Sequence, residues 1–233
     1  PALRDLSRSA EFCAAIRTAI GERADLLFGT HGQFTAAGAI RLAQVIAPYR
    51  PLWFEEPVPP DDIPAMARVA RASAVPVATG ERLTTRAEFA AVLRAEAAEI
   101  LQPALGRSGG IWEGRKIAAL AEAAGAQIAP HLYAGPVEWM ANIHLATSLP
   151  NFLLLETIGT GGDFHRALIG GGPAWEDGYI SVPDQAGLGI AFNEELARAN
   201  PFDGRRLHLE MQESACEYSR ENAFQGGAAE PDS

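Results

Sequence analysis

Pro51-Leu52-Trp53-Phe54-Glu55-Glu56-Pro57 is an apolar run that stops at two carboxylates and a proline. A run this short, apolar on both faces and bounded by turn residues, reads as a parallel strand buried beneath helices. Five further runs share its character: Leu26-Leu27-Phe28, Val75-Pro76-Val77-Ala78, Glu99-Ile100-Leu101, Gln127-Ile128-Ala129 and Phe152-Leu153-Leu154-Leu155. Between them lie alanine-rich amphipathic stretches. Phe12, Ile16 and Ile20 fall on one helical face, as do Ile40, Ala43 and Ala47. Ile63, Met66 and Val69 repeat the spacing, and so do Ile117, Leu120 and Ala124. Gly21 and Gly125 close two of these helices.

Just past each strand lies a polar residue or turn: His31, Glu55, Glu81, Gln102-Pro103-Ala104, His131 and Glu156. They recur at steps of 23 to 27 residues, the length of one strand, one helix and two short loops. Strand-helix alternation argues for βαβ units rather than a sandwich. In a (β/α)₈ barrel all strand ends converge on one face, where active sites lie. A doubly wound sheet concentrates its site at a switch point and needs no polar residue at every strand end. The expected fold is therefore an α/β TIM barrel, incomplete on its N-terminal side, with about six βα units over residues 1–202. A closed barrel takes eight strands and about 250 residues, so the missing strands are expected upstream of Pro1.

Beyond Glu156 the pattern changes. Gly159-Thr160-Gly161-Gly162 and Gly170-Gly171-Gly172-Pro173 read as irregular loops. The first lacks the Lys-Ser/Thr ending of a phosphate loop, and no helix is expected after it. Trp175 to Val182 reads as a turn and strand in a closing segment. From Leu209 to Ser233 six acids (Glu210, Glu213, Glu217, Glu221, Glu230, Asp232) face one base, Arg220. Residues 203–233 are expected to form an extension with a solvated, disordered end.

Composition narrows the function. The 233 residues are 48% hydrophobic and 21% charged, ordinary for a globular domain. A net charge of −10 repels phosphate backbones and anionic lipid, so nucleic acid and membranes are not expected partners. No apolar run approaches the roughly 20 residues needed to span a bilayer. Cys13 and Cys216 are too few for a disulfide framework. A cytoplasmic location is expected. Cys13 reads as core, Trp53 and Trp139 as packing aromatics, and His144, His165 and His208 carry no motif.

The chemistry gathers at the strand ends. Glu55 and Glu81 end adjacent strands, and two carboxylates so placed suit a hard cation such as Mg²⁺. His31 ends the preceding strand.

Glu55-Glu56-Pro57, Gly80-Glu81, Gln102-Pro103 followed by Gly109-Gly110-Ile111, Pro130-His131 and Glu156 together resemble the enolase superfamily. Within it they are most similar to the mandelate racemase and acid-sugar (galactonate-type) dehydratase branch. The likeness runs from about Ser9 to Phe202. It implies a capping domain ahead of the barrel, which this chain lacks, and a Mg²⁺ held by three strand-end carboxylates. Glu55 and Glu81 match the second and third ligands; the first position is Gly29, in Gly29-Thr30-His31-Gly32, which carries no anion. The likeness makes His131 the base that takes the proton next to a carboxylate, with an enediolate formed. It makes His31 the acid that protonates the departing hydroxyl, and histidine titrates where both tasks need it. Glu156 matches the glutamate that binds the substrate carboxylate, and Tyr133, just after His131, and Arg82 are expected to bind substrate beside it. The likeness places the usual aspartate partner of the base at the position of Ala104, so His131 is expected either to be a weaker base or to borrow another carboxylate. The activity implied is loss of water from an aldonate-like sugar acid by a metal-assisted lyase, acting as a homo-oligomer. A racemase or epimerase is the alternative that keeps only proton abstraction. A non-catalytic relative is the alternative favoured by Gly29 and Ala104.

Overall fold

A computed structural model describes residues 1–157 and 162–201. Residues 1–196 form one compact unit. Of the second, residues 197–201 are described, so the extension expected at 203–233, with His208 and Cys216, lies outside the described residues.

Helix α1 (Leu3–Ile20) leads into β1 (Leu27–Gly29), followed by α2 (Ala36–Ile46), β2 (Trp53–Glu55) and α3 (Ile63–Ala72). Then come β3 (Val77–Thr79), α4 (Arg86–Arg94), β4 (Ile100–Leu101), α5 (Leu105–Ser108) and α6 (Gly110–Ala123). β5 (Gln127–Ile128) and α7 (Pro136–Thr147) complete the alternation. Side-chain caps start several helices. Asp62 accepts from the Ala65 N–H before α3. Before α4, Thr85 and Glu88 form a reciprocal capping box.

The five strands form one parallel sheet in chain order, β1-β2-β3-β4-β5. Order without reversal leaves no switch point, which excludes the doubly wound alternative and leaves the barrel wall. The sixth run pairs less than expected. Phe152 makes a single parallel bridge to Ile128, with backbone bonds Ile128 N to Asn151 O and Leu153 N to Ile128 O.

Side chains alternate between two apolar layers, as the pleat requires. Phe28 and Phe54 meet edge to face at 5.8 Å, and Phe54, Val77, Leu101 and Ile128 pack in the main core with helix residues such as Leu42, Met66 and Ile117. Trp53, Ala78, Ile100 and Ala129 form a separate buried layer on the other face. That layer floors the strand ends.

Two helical faces differ from expectation. α1 buries Leu6 and Cys13, while Phe12 and Ile16 are 49% and 41% exposed; the Arg8 guanidinium covers the Phe12 ring at 5.4 Å. α6 buries Gly114, Ile117, Ala118 and Ala121 and exposes Leu120. The buried face of each helix is thus rotated from the one that the largest apolar side chains mark.

Beyond Glu156 a helix that was not expected, α8 (Gly162–Ile169), replaces part of the loop region; residues 159–161 lie outside the described residues. Where a turn and one strand were expected, β6 (Trp175–Glu176) and β7 (Tyr179–Ile180) pair as a hairpin around Asp177-Gly178. Both turn residues have positive φ, 50° and 81°, as a two-residue hairpin turn demands. Among the described residues no helix is long and apolar enough to cross a membrane.

Candidate active site

The register sets Gly29 beside Glu55, and Glu55 beside Ala78, so the first three strands end level. Thr30 then ties β1 to β2: its hydroxyl donates to the carbonyls of Glu55 (3.1 Å) and Glu56 (2.9 Å). The Gly32 N–H donates to the same Glu56 carbonyl at 2.7 Å. This turn puts His31 at φ 48° and lifts its ring over the strand ends. His31, Glu55 and Glu81 thereby offer ligand atoms that all lie within 4.8 Å of one another.

Glu55 is held by two buried donors. Trp53 Nε1 and Gln102 Nε2 both reach its Oε2, at 3.0 and 2.8 Å. Gln102 follows β4 closely because Gly80 lets the chains meet: a Cβ at Gly80 would stand 2.8 Å from the Gln102 nitrogen, and Gly80 has φ 139°. Below the rim, Arg82 Nε and Nη2 donate to Glu56 Oε2 at 2.8 and 2.6 Å. Burial raises the Glu56 pKa; the Arg82 hydrogen bond opposes this, and the charges of Glu81 and Glu55 add to the rise.

His131, just past β5, completes the cluster. Its Nδ1 lies 2.8 Å from Glu156 Oε2 and 3.5 Å from Glu81 Oε2. The Leu132 N–H donates to the same Glu156 oxygen at 2.8 Å. Burial alone would lower the His131 pKa, but the Glu156 hydrogen bond and the charges of Glu156, Glu81 and Glu55 outweigh it and leave it raised. Burial raises Glu156 in turn, yet its bonds to His131 and Leu132 win and hold it low.

His31, Glu55, Glu81, His131 and Glu156 thus converge on one rim. The carboxylate borrowed by His131 is Glu156, one strand position later, while Ala104 is buried at the start of α5. Arg82 spends two of its nitrogens on Glu56, and Tyr133 is half exposed beside His131. His144 lies in α7 and His165 in α8, the latter 6.1 Å from the Phe164 ring. Cys13 is buried core, as read, and burial pushes its thiol pKa up; Trp139 packs with Leu132 and Met140. Sequence reasoning missed Trp53 and Gln102 as partners of Glu55. Their signal was period two: Trp53 precedes Glu55 by two, and Gln102 follows the inward-facing Ile100 by two.

The donor set fits a divalent cation. Two carboxylates and an imidazole face one another, and the space at Gly29 is open: a Cβ there would meet only the Glu55 carboxyl carbon, at 4.0 Å. Water or a substrate oxygen can fill the position that a third carboxylate would take.

The model of the enolase C-terminal domain-like family matches residues 2–196. D-xylonate dehydratase of Haloferax volcanii is 31% identical over 213 residues, 87% of this chain and 49% of that protein. D-galactonate dehydratase of Ralstonia nicotianae is 36% identical over 198 residues, 78% of this chain and 50% of that protein. The crystal structure of a mandelate racemase/muconate lactonizing enzyme from Sulfitobacter sp. is 66% identical. It superposes with a TM-score of 0.86 over 94% of this chain and 55% of that one. The chain spans about half the length of the curated relatives it matches.

Proposed function

Because the chain belongs to the enolase C-terminal domain-like family, the barrel part of the enolase superfamily, we propose that it removes water from an aldonate-like sugar acid. The observation that carries this reading is the pairing, on one rim, of a carboxylate-oriented histidine with a His-Glu-Glu cation cluster. The relatives named as dehydratases of xylonate and galactonate give the substrate class.

In this reading Glu55 and Glu81 hold Mg²⁺, the cation of the superfamily, with His31 at its border. When bound, the ion supplies positive charge against the negative charge that grows on the substrate carboxylate as the adjoining proton leaves. His131 is the base. Its Nδ1–H donates to Glu156, which leaves the Nε2 lone pair to accept the α-proton. Glu156 then stabilises the imidazolium. His31 gives a proton to the departing β-hydroxyl, so water leaves and a carbon-carbon double bond forms. Arg82 and Tyr133 border the substrate carboxylate and hydroxyls, and Glu156 Oε1 is available to the substrate as well. Residues 1–202 act as the barrel domain.

Proton NMR in D₂O tests this on the full chain with Mg²⁺ and a panel of aldonates. Wild type should exchange the α-proton and lose water. His131→Asn should lose both by about 10²–10⁴-fold, because an amide accepts no proton. His31→Asn should lose dehydration and keep exchange. Absence of both reactions across the panel would overturn the assignment in favour of a family member that binds without turnover, the reading that Gly29 and Ala104 support.

A further inference from the structure

Of the two carboxylates in the cation cluster, Glu55 has its second oxygen held by two donors. Trp53 Nε1 and Gln102 Nε2 converge on Oε2 at 3.0 and 2.8 Å, and both side chains are only 3% exposed. A carboxylate oxygen has about two lone-pair sites, so two N–H donors fill Oε2 and leave Oε1 as the ligating atom. The donors come from different elements, one within β2 and one just past β4, so no single strand movement releases both. Gln102 Oε1 is buried with no hydrogen-bond partner. The amide is thus oriented by its donation to Glu55, not by a bond of its own.

We propose that Trp53 and Gln102 are positioning residues that confine Glu55 to one-oxygen ligation, and that this confinement makes the site discriminate against Ca²⁺. The inference deepens the cation reading of Glu55 and Glu81 and rests on it. Mg²⁺ takes six oxygens in a tight octahedron and accepts a carboxylate through one oxygen. Ca²⁺ takes six to eight ligands and gains from carboxylates that swing to bidentate contact. A glutamate pinned by one oxygen serves the first ion fully and denies the second a ligand. Outer-shell partners of metal ligands typically contribute 10–100-fold to affinity, so the effect is within reach of measurement.

Isothermal titration calorimetry of the full chain with MgCl₂ and with CaCl₂ tests the clamp. Trp53→Phe keeps an aromatic ring in the floor layer, smaller than the indole, and removes the N–H. Gln102→Met keeps the length and bulk of the side chain and removes the amide. Wild type should bind Mg²⁺ more tightly than Ca²⁺. Each variant should lower the Mg²⁺-to-Ca²⁺ affinity ratio by about tenfold. General loosening of the site would weaken both ions alike and leave the ratio unchanged; that result overturns the clamp while leaving the cation site standing. Failure of wild type to bind either ion overturns the cation reading and the clamp with it. Far-UV circular dichroism confirms folding, and if Gln102→Met does not fold, the ring-preserving Trp53→Phe decides the outcome.

Discussion

At Gly29 a missing side chain governs how firmly a cation is held. The position is level with Glu55 and its surroundings are open. Gly29→Asp should therefore place a third anion at the rim without a clash. Two unit charges about 4 Å apart interact by about 4 kcal/mol at an effective dielectric of 20. Even a third of that, about 1.4 kcal/mol, is tenfold, so we expect Mg²⁺ affinity to rise about tenfold or more by calorimetry. Equal affinities would remove Gly29 from the site. His131 gives a second residue-scale prediction. Glu156 and its neighbours raise the pKa of His131, so the neutral, proton-accepting form prevails only above an elevated pKa. The alkaline-favoured rise of α-proton exchange should lie above the usual imidazole value of about 6.5. Glu156→Gln should move that rise to lower pH. An unmoved profile would separate Glu156 from the base.

Single elements are fixed by their ends. α4 begins at the Thr85–Glu88 capping box, in which Glu88 Oε2 accepts from the Thr85 N–H at 2.7 Å and its hydroxyl at 2.8 Å. Thr85→Ala should cost about 0.5–2 kcal/mol in urea unfolding. The Thr85 side-chain hydrogen bond, first among the causes, lowers the Glu88 pKa. A lowered pKa adds stability above the unfolded value of about 4.5, and that stability is lost as pH falls through the folded value. The stability gap between wild type and Glu88→Gln should thus be open at pH 7 and close in strong acid. Between β3 and β4, Gly80 combines φ 139° with atoms 2.8 Å from any added Cβ. Gly80→Ala should destabilise by about 1–3 kcal/mol. It should also weaken Mg²⁺ binding, because the atoms displaced include the main chain of Gln102. Loss of stability with unchanged Mg²⁺ affinity would detach that contact from the site.

Within residues 1–196 the two edges of the parallel wall border a cavity of about 710 Å³. Arg23 and Asp25 line it from the β1 side, Phe152 to Leu155 from the sixth position, and Trp175 and Tyr179 from the hairpin. On the β1 edge Leu27 is 43% exposed, while Trp53, its register partner, is 3% exposed. Leu27→Ala should cost under about 1 kcal/mol, as surface substitutions do, against about 3–5 kcal/mol for Trp53→Ala. Chemical denaturation of both variants checks the contrast. A cost at Leu27 near that at Trp53 would mean that the edge is covered in solution.

Alternation of apolar runs with amphipathic stretches determined five of the six expected strands and the rim positions from His31 to Glu156. Strand periodicity and loop length are local properties, and a near-constant step leaves a parallel wall little freedom. The carboxylates at Glu55 and Glu81 were legible for the same reason: position past a strand end fixes which rim a residue joins. Tertiary structure alone decided the partners. Glu156 reaches His131 across 25 residues of sequence, and Gln102 reaches Glu55 across 47. No local period encodes such distances; they follow from the register of the sheet and from the close approach at Gly80. Only packing could reveal that α1 turns Phe12 outward. Helical spacing names the apolar side chains, but the volume available at the contact selects which of them are buried.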